Sequence, residues 1–368
     1  MTDTAVSAES LSAGYSGKAV INNINITVEK GSILTLIGPN GAGKSTVLKT
    51  ICRQLSPVSG KVFIGSQELR SFNSRELAKK MSVLLTQKVN SPLMTCREAV
   101  ETGRYPYTGT MGVLSPEDRR KVDEALEMAG VSDLADRDID KLSDGQRQRV
   151  LLARAICQEA GILILDEPAT FLDIHYKLEL MKLLKELAEK RGTCIIMSLH
   201  ELELAQKVSD KVLCIKKGLP DRYGVPEDIF SSGYIETLYS TEKGRYCPLY
   251  GSLELSPADG SPEIFVIGGN GEGINVYRRL QRKGIPFAAG IIHTNDTDFP
   301  VAQALASKVI CETPFEEISE LNYHEAVDIM DKCRNVICAV SKFGTMNKRN
   351  KDLALKAEQD GKLVSDMI

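Results

Sequence analysis

Nine consecutive residues, Gly38-Pro39-Asn40-Gly41-Ala42-Gly43-Lys44-Ser45-Thr46, carry the spacing G-x-x-x-x-G-K-[ST]. Glycines at these places let backbone N–H groups turn inward around phosphate oxygens, and a helix starting there adds its positive dipole end. Lys44 then reaches β- and γ-phosphates, and the Ser45 hydroxyl is offered to Mg²⁺. The flanks agree. Ile33 to Ile37 is a short apolar run suited to a buried strand, and Val47 to Ile51 reads as the first turns of a helix. Strand, glycine loop and helix in that order predict a nucleoside-triphosphate site built from Gly38, Asn40, Gly41, Gly43, Lys44, Ser45 and Thr46.

A second group of chemical residues follows apolar runs. Gly161 to Leu165 leads into Asp166-Glu167-Pro168. Such a run suits a strand of a parallel sheet buried on both faces, and acids at its carboxyl end lie where open α/β sheets bind ligands. Asp166 is placed to hold Mg²⁺, and Glu167 to orient or deprotonate an attacking water. Cys194 to Leu199 is another such run and ends in His200. Taken alone, that histidine is more often structural than catalytic, although beside a phosphate its imidazole could contact it. Gln87 ends the strand-like stretch Met81 to Thr86; a solvated amide is its commoner explanation. Tyr15, flanked by Gly14 and Gly17, either packs a strand edge or stacks on a base, and the residue alone favours packing. Ser143 and Asp144 precede an amphipathic stretch and read as N-cap residues.

The elements that must position these groups alternate along the chain. Short β-like runs occupy residues 5–30, and a helix-rich region spans roughly residues 95–160, with helices at Cys96 to Gly103, Pro116 to Ala129 and Gln146 to Gln158. Helices are also predicted over Ile174 to Glu189 and Pro226 to Tyr239. The length of 368 residues suits two or three domains. A net charge of −3 gives no reason to expect a nucleic-acid partner. Nine cysteines without a C-x-x-C pair indicate neither a zinc site nor a disulfide framework. The N-terminus lacks the basic-then-apolar order of a signal peptide, and no run approaches the ~18 apolar residues of a membrane span. A reducing cytosol is therefore expected, with any membrane role exerted through a partner.

Together these features resemble an ATP-binding cassette (ABC) ATPase over about residues 5–240. The most specific element is Leu142-Ser143-Asp144-Gly145-Gln146, similar to the family's LSGGQ signature with aspartate in place of the first glycine. The resemblance implies an α/β fold: a RecA-like core, an antiparallel β subdomain and a helical subdomain. It implies a head-to-tail dimer with ATP and Mg²⁺ held between one copy's phosphate loop and the other's Ser143, Gly145 and Gln146. It makes Tyr15 the adenine-stacking residue and Gln87 a Mg²⁺-site residue linked to the transmembrane partner. His200 becomes the γ-phosphate switch, and Asp173 part of the loop coupling the two sites. Lys44, Gln87, Glu167 and His200 form the implied catalytic set, with Ser45, Gln87 and Asp166 at the metal. The implied partners are a second copy, a membrane permease dimer and, indirectly, a substrate-binding protein, which puts the chain at the cytoplasmic face of the membrane. Gly103-Arg104-Tyr105-Pro106-Tyr107-Thr108-Gly109 resembles the segment of iron-siderophore, haem and cobalamin importers. A soluble ATP-driven switch and an exporter's ATPase are the alternatives.

The cassette is expected over residues 1–255, followed by a Pro/Gly/Ser-rich linker at 256–262 and a small Rossmann-like α/β domain at 263–368. There, Ile264 to Ile267 reads as a strand and Gly268-Gly269-Asn270-Gly271-Glu272-Gly273 as a glycine loop that departs from G-x-G-x-x-G. His293, Asn295, Asp296 and the Gly344-Thr345 turn would follow strands, at the ligand edge of such a sheet. A sensor for a nucleotide or the imported compound is one reading of this domain, and a docking or dimer-stabilising module, slightly favoured, the other.

Overall fold

The computed structural model describes residues 3–85, 94–109, 111–231, 233–240 and 244–364. Its contacts divide the chain into two compact units, Met1–Tyr234 and Ile235–Ile368.

The first unit opens with strands β1 (Thr4–Tyr15), β2 (Lys18–Glu29) and β3 (Ile33–Ile37), then helix α1 (Lys44–Ile51). Strands β4 (Ser59–Ile64) and β5 (Gln67–Glu68), helix α2 (Ser74–Lys80) and strand β6 (Met81–Leu84) follow. Helices α3 (Cys96–Glu101), α4 (Pro116–Met128) and α5 (Asp144–Cys157) form the helical region. Then come β7 (Ile162–Asp166), α6 (Ile174–Arg191), β8 (Cys194–Ser198), α7 (Leu202–Val208), β9 (Lys211–Lys216), β10 (Leu219–Gly224) and α8 (Pro226–Ile229).

Two sheets organise these elements: a four-stranded one in the order β2-β1-β4-β5 and a six-stranded one in the order β10-β9-β3-β8-β7-β6. The first is antiparallel. The second is parallel except for β10, which runs antiparallel to β9 at its edge. Every residue of β3, β7 and β8 is buried, as central parallel strands covered on both faces require. Leu34, Leu36, Ile164 and Ile196 pack with Val47, Leu48 and Ile51 of α1 and with the inner residues of β1 and β2. That packing fixes the carboxyl ends of β3, β7 and β8 side by side, which is where the site lies.

The expected arrangement of parallel core, antiparallel sheet and helical region is present. The helix expected over Pro226 to Tyr239 is instead two short ones, α8 and α9 (Tyr234–Tyr239), with Gly233 between them at φ +83°. Only glycine takes that left-handed conformation without strain, so it breaks the helix.

The second unit adds a hairpin, β11 (Gly244–Cys247) and β12 (Ser252–Leu255), then β13 (Ile264–Ile267), α10 (Ile274–Arg282) and β14 (Phe287–His293). It continues with α11 (Asp298–Leu305), β15 (Lys308–Glu312), α12 (Glu320–Lys332), β16 (Asn335–Cys338), α13 (Lys348–Gln359) and β17 (Leu363–Val364). Its parallel sheet has the order β15-β14-β13-β16-β17, the doubly wound pattern expected of a Rossmann-like domain. One face packs on Val276, Tyr277, Leu280, Val301 and Leu305, and the other on Ala326, Met330, Leu353 and Ala357. The segment read as a linker is bonded to this unit: Gln281 Nε2 donates to Ser256 O at 2.8 Å. The hairpin is tied in as well, Glu254 pairing with Arg278 and Arg245 Nη1 donating to Gln303 O at 2.9 Å.

Candidate functional site

The loop after β3 begins with Gly38 at φ +145°, where a Cβ would lie 2.2 Å from Ile215 O on the neighbouring β9. Only glycine lets the chain turn this close to the sheet. At the loop's end Gly43 precedes α1 with no capping side chain, so the first N–H groups of that helix are left for a ligand. Lys44 is buried, and its Nζ donates to Gly38 O at 2.7 Å and Pro39 O at 3.2 Å. Burial pulls its ammonium below the ordinary lysine range, opposed by the charges of Glu167 and Asp166. Asn40 and Gly41 are exposed at the loop's tip, and Thr46 is buried in the first turn of α1.

Residues distant in sequence meet beside this loop. Ser45 Oγ donates to Asp166 Oδ1 at 3.0 Å, and Ser198 Oγ donates to the same oxygen at 2.7 Å. Ser198 Oγ in turn accepts from Glu167 N at 3.0 Å. Asp166 is almost fully buried at the end of β7, whereas the Glu167 side chain is partly open. Glu167 Oε1 lies 2.5 Å from His200 Nε2, and Glu167 Oε2 accepts from Thr170 Oγ1 at 3.4 Å. Glu167 itself has φ +53°, a conformation costing a non-glycine residue about 1 kcal/mol, which turns it out of the strand line toward His200. Lys44, Ser45, Asp166, Glu167 and His200 thus form one constellation.

The other predicted residues are placed separately. Tyr15 ends β1 and is 48% exposed, so its ring is accessible rather than packed in a core. Ser143 caps α5: its Oγ accepts from Gln146 N at 3.3 Å, and Gln146 Oε1 accepts from Ser143 N at 3.2 Å. A Cβ on Gly145 would lie 2.8 Å from Phe171 O, so the start of α5 sits directly against the loop after β7. Between that start and the two carboxylates lies a cleft of about 270 Å³, lined by Asp144, Arg147, Gln148, Asp166, Glu167 and Phe171. Asp173 caps α6, its Oδ1 accepting from Tyr176 N at 3.1 Å. Gln87 lies outside the described residues.

Sequence reasoning missed Ser198, Thr170 and Gln148, whose Nε2 donates to Glu167 O at 3.0 Å. For Ser198 the sequence offers only its place as the one hydroxyl in the apolar run before His200, which by itself assigns no role.

A phosphate loop at the end of β3, beside paired acids at the end of β7, defines an NTP-hydrolysing cassette. The ABC transporter family pattern matches residues 21–170. An uncharacterized ABC transporter ATP-binding protein of Methanocaldococcus jannaschii is 39% identical, over 77% of this chain and 98% of its own length. The iron(3+)-hydroxamate import ATP-binding protein FhuC of Bacillus subtilis is 36% identical, over 64% of this chain and 88% of its own. The cobalamin import ATP-binding protein BtuD of Halobacterium salinarum is 27% identical, over 84% of this chain and 79% of its own. Among solved structures, a dimeric cassette bound to ADP and Pi superposes with a TM-score of 0.55 at 28% identity, over 60% of this chain and 98% of that one. An ABC transporter assigned to the metal-chelate type, in an inward-facing conformation, gives 0.57 at 25% identity, over 68% and 96%. The chain belongs to the ABC transporter ATP-binding proteins and is an ATPase. A second pattern, the MJ0874 family, matches residues 287–366 in the second unit.

Proposed function

We propose that this chain is the ATP-hydrolysing subunit of an importer that takes up a metal chelate through a separate permease. The observation that carries the ATPase part is the hydrogen-bonded run Ser45–Asp166–Ser198–Glu167–His200 beside a glycine loop with a buried lysine. The cargo class is supported by the importer names of the similar proteins and by the metal-chelate structure. The alignment with the cobalamin protein spans 317 residues, more than the first unit contains, so it extends into the second unit.

The residues present fit the nucleotide and its metal. The close approach at Gly38, the uncapped N–H groups of α1 and Lys44 would hold phosphates, and Ser45 Oγ with Asp166 would hold Mg²⁺. When bound, ATP and Mg²⁺ supply a γ-phosphoryl group whose charge is neutralised for attack. Glu167 accepts the proton of the attacking water, and His200, bonded to its Oε1, orients the carboxylate and meets the γ-phosphate. Tyr15 offers its exposed ring to the adenine, and Gln87 links the metal site to the permease. Ser143, Gly145, Gln146 and Asp173 act across a head-to-tail dimer, completing the site of a second copy. Among the described residues no helix is long and apolar enough to cross a membrane. Attachment at the cytoplasmic face through the permease belongs to the same reading.

Glu167→Gln tests the reading. It should lower ATP turnover roughly 10²–10⁴-fold, retain ATP binding, and accumulate an ATP-bound dimer visible by size-exclusion chromatography. Undiminished turnover removes Glu167 from its role. Uptake of radiolabelled ferric hydroxamate, haem and cyanocobalamin by cells lacking the chain identifies the cargo; unchanged uptake of all three rejects import of a metal chelate.

A further inference from the structure

The strand order of the second unit places a crevice beyond the carboxyl ends of β13 and β16, where such sheets bind ligands. The glycine loop after β13 lies there, but its amides are already engaged by this chain. Asp298 Oδ2 accepts from Gly269 N at 2.6 Å and Gly273 N at 2.9 Å, and Asp296 Oδ2 accepts from Asn270 N at 2.8 Å. Glu272 spans the crevice to the end of β16, accepting from Ser341 N at 2.7 Å and Ser341 Oγ at 3.0 Å. A dinucleotide-binding loop turns such N–H groups toward a pyrophosphate. Here carboxylates take their place, and Glu312 at the end of β15 adds another, bonded to the N–H groups of Thr313 and Ser319. An incoming phosphate would meet negative charge and few free donors.

Beside the loop opens a cleft of about 360 Å³, lined by Asn270, His293, Asn295, Asp296, Phe315 and Met346. That is near the lower end of the roughly 300–1,000 Å³ typical of small-molecule sites. Its apolar wall is uncovered: Phe315 is 78% exposed and Met346 41%. Phe315 also has φ +64°, rare for a bulky residue, in a loop that keeps its ring out of the core. The polar edge has unused capacity. Among the described residues the Asn295 amide has no hydrogen-bond partner, and His293 uses only Nε2, toward Glu316 O at 2.8 Å.

We propose that this cleft binds an uncharged heteroaromatic molecule of nucleoside size, its ring on Phe315 and Met346 and its polar edge on Asn270, His293 and Asn295. A nucleotide is excluded by the carboxylates that occupy the glycine loop. The second unit is then a ligand-binding module of its own, selective against phosphate.

The test uses the full chain with its cassette saturated by a non-hydrolysable ATP analogue. Adenosine, guanosine, cytidine and uridine are titrated by calorimetry, each beside its monophosphate. Saturable binding of at least one nucleoside is expected, tenfold or more tighter than its monophosphate and weakened tenfold or more in both Phe315→Ala and Asn295→Ala. Both side chains are exposed, so circular dichroism and the melting temperature should stay unchanged in the variants. The proposal is overturned by absence of binding for all four nucleosides, by a monophosphate binding as tightly as its nucleoside, or by binding indifferent to both substitutions.

Discussion

Ser198 shows how much of the site depends on one buried hydroxyl. It donates to the acid proposed for the metal and accepts from the backbone N–H of the acid proposed as base, so it sets the spacing of both. Ser198→Ala leaves the Glu167 amide without that acceptor and Asp166 with one donor fewer, inside a fully buried strand end. A stability loss of about 1–3 kcal/mol is expected, measured by urea unfolding. Turnover should fall roughly tenfold while ATP affinity changes less, because the hydroxyl positions the reacting groups rather than the loop; equal turnover in the variant would contradict this. Lys44, Ser45, Asp166 and Glu167 were legible in the sequence because phosphate chemistry demands those residue types at fixed spacing after apolar strands. Ser198 was not, since a serine at a strand end has many uses and none leaves a pattern. For Ser143 the local reading as an N-cap is met by the capping box, and this does not conflict with a role toward a second copy, because an N-cap leaves neighbouring N–H groups directed outward.

Among the elements, the segment Gly103 to Gly109 acts as a clasp of the helical region. Arg104 is buried, donating from Nε to Asp118 Oδ1 at 2.9 Å and from Nη1 to Cys157 O at 2.8 Å, with its guanidinium 4.2 Å above the Tyr107 ring. The Ser115 hydroxyl chiefly, with Arg104, holds the Asp118 carboxyl below the usual range. One planar cation thus joins the start of α4 to the end of α5. Arg104→Ala removes the cation while the Ser115 N–H and hydroxyl still bond the Asp118 carboxylate, and should cost about 1–3 kcal/mol. Arg104→Lys should recover little, because an ammonium lacks the fork that serves Asp118, Cys157 O, Glu159 and a ring together. Denaturant midpoints decide; near-wild-type stability in the lysine variant would reduce the clasp to simple charge pairing. The sequence showed this segment only through its resemblance to importers, since a buried arginine looks like a surface one until its partners, 14 and 53 residues away, are in place. Element types were the readable part, because apolar period and caps are local. The break before Tyr234 was not, because the apolar pattern runs on past the left-handed Gly233 that ends the helix, nor was the hairpin β11–β12, which is held by bonds to residues far along the chain.

At the scale of the whole molecule, the two units carry separate chemistry. The first has an acid-lined site with a buried lysine; the second has a doubly wound sheet whose ligand edge is acidic. The Pro/Gly/Ser stretch at 256–262 read as a boundary, yet the contacts divide the chain earlier, after Tyr234. Composition reports local chain freedom, whereas Glu254–Arg278 and Gln281–Ser256 are long-range bonds that composition does not carry. Glu312 gives the second unit a distinct pH response. Burial alone would raise its carboxyl, but the N–H groups of Ser319 and Thr313, with the Asn322 amide, outweigh this and hold it at about 2. Its folded pKa is therefore below the ordinary 4.5, and the stability it brings is complete above that value and lost as pH falls toward about 2. Glu312→Gln should lower the calorimetric transition of the second unit by about 2 kcal/mol at neutral pH, leaving the first unit's transition in place. The gap between variant and parent should hold down to about pH 5 and narrow below it. A gap that stays constant into the acid range would mean that the carboxylate's shape, and not its charge, anchors the loop after β15.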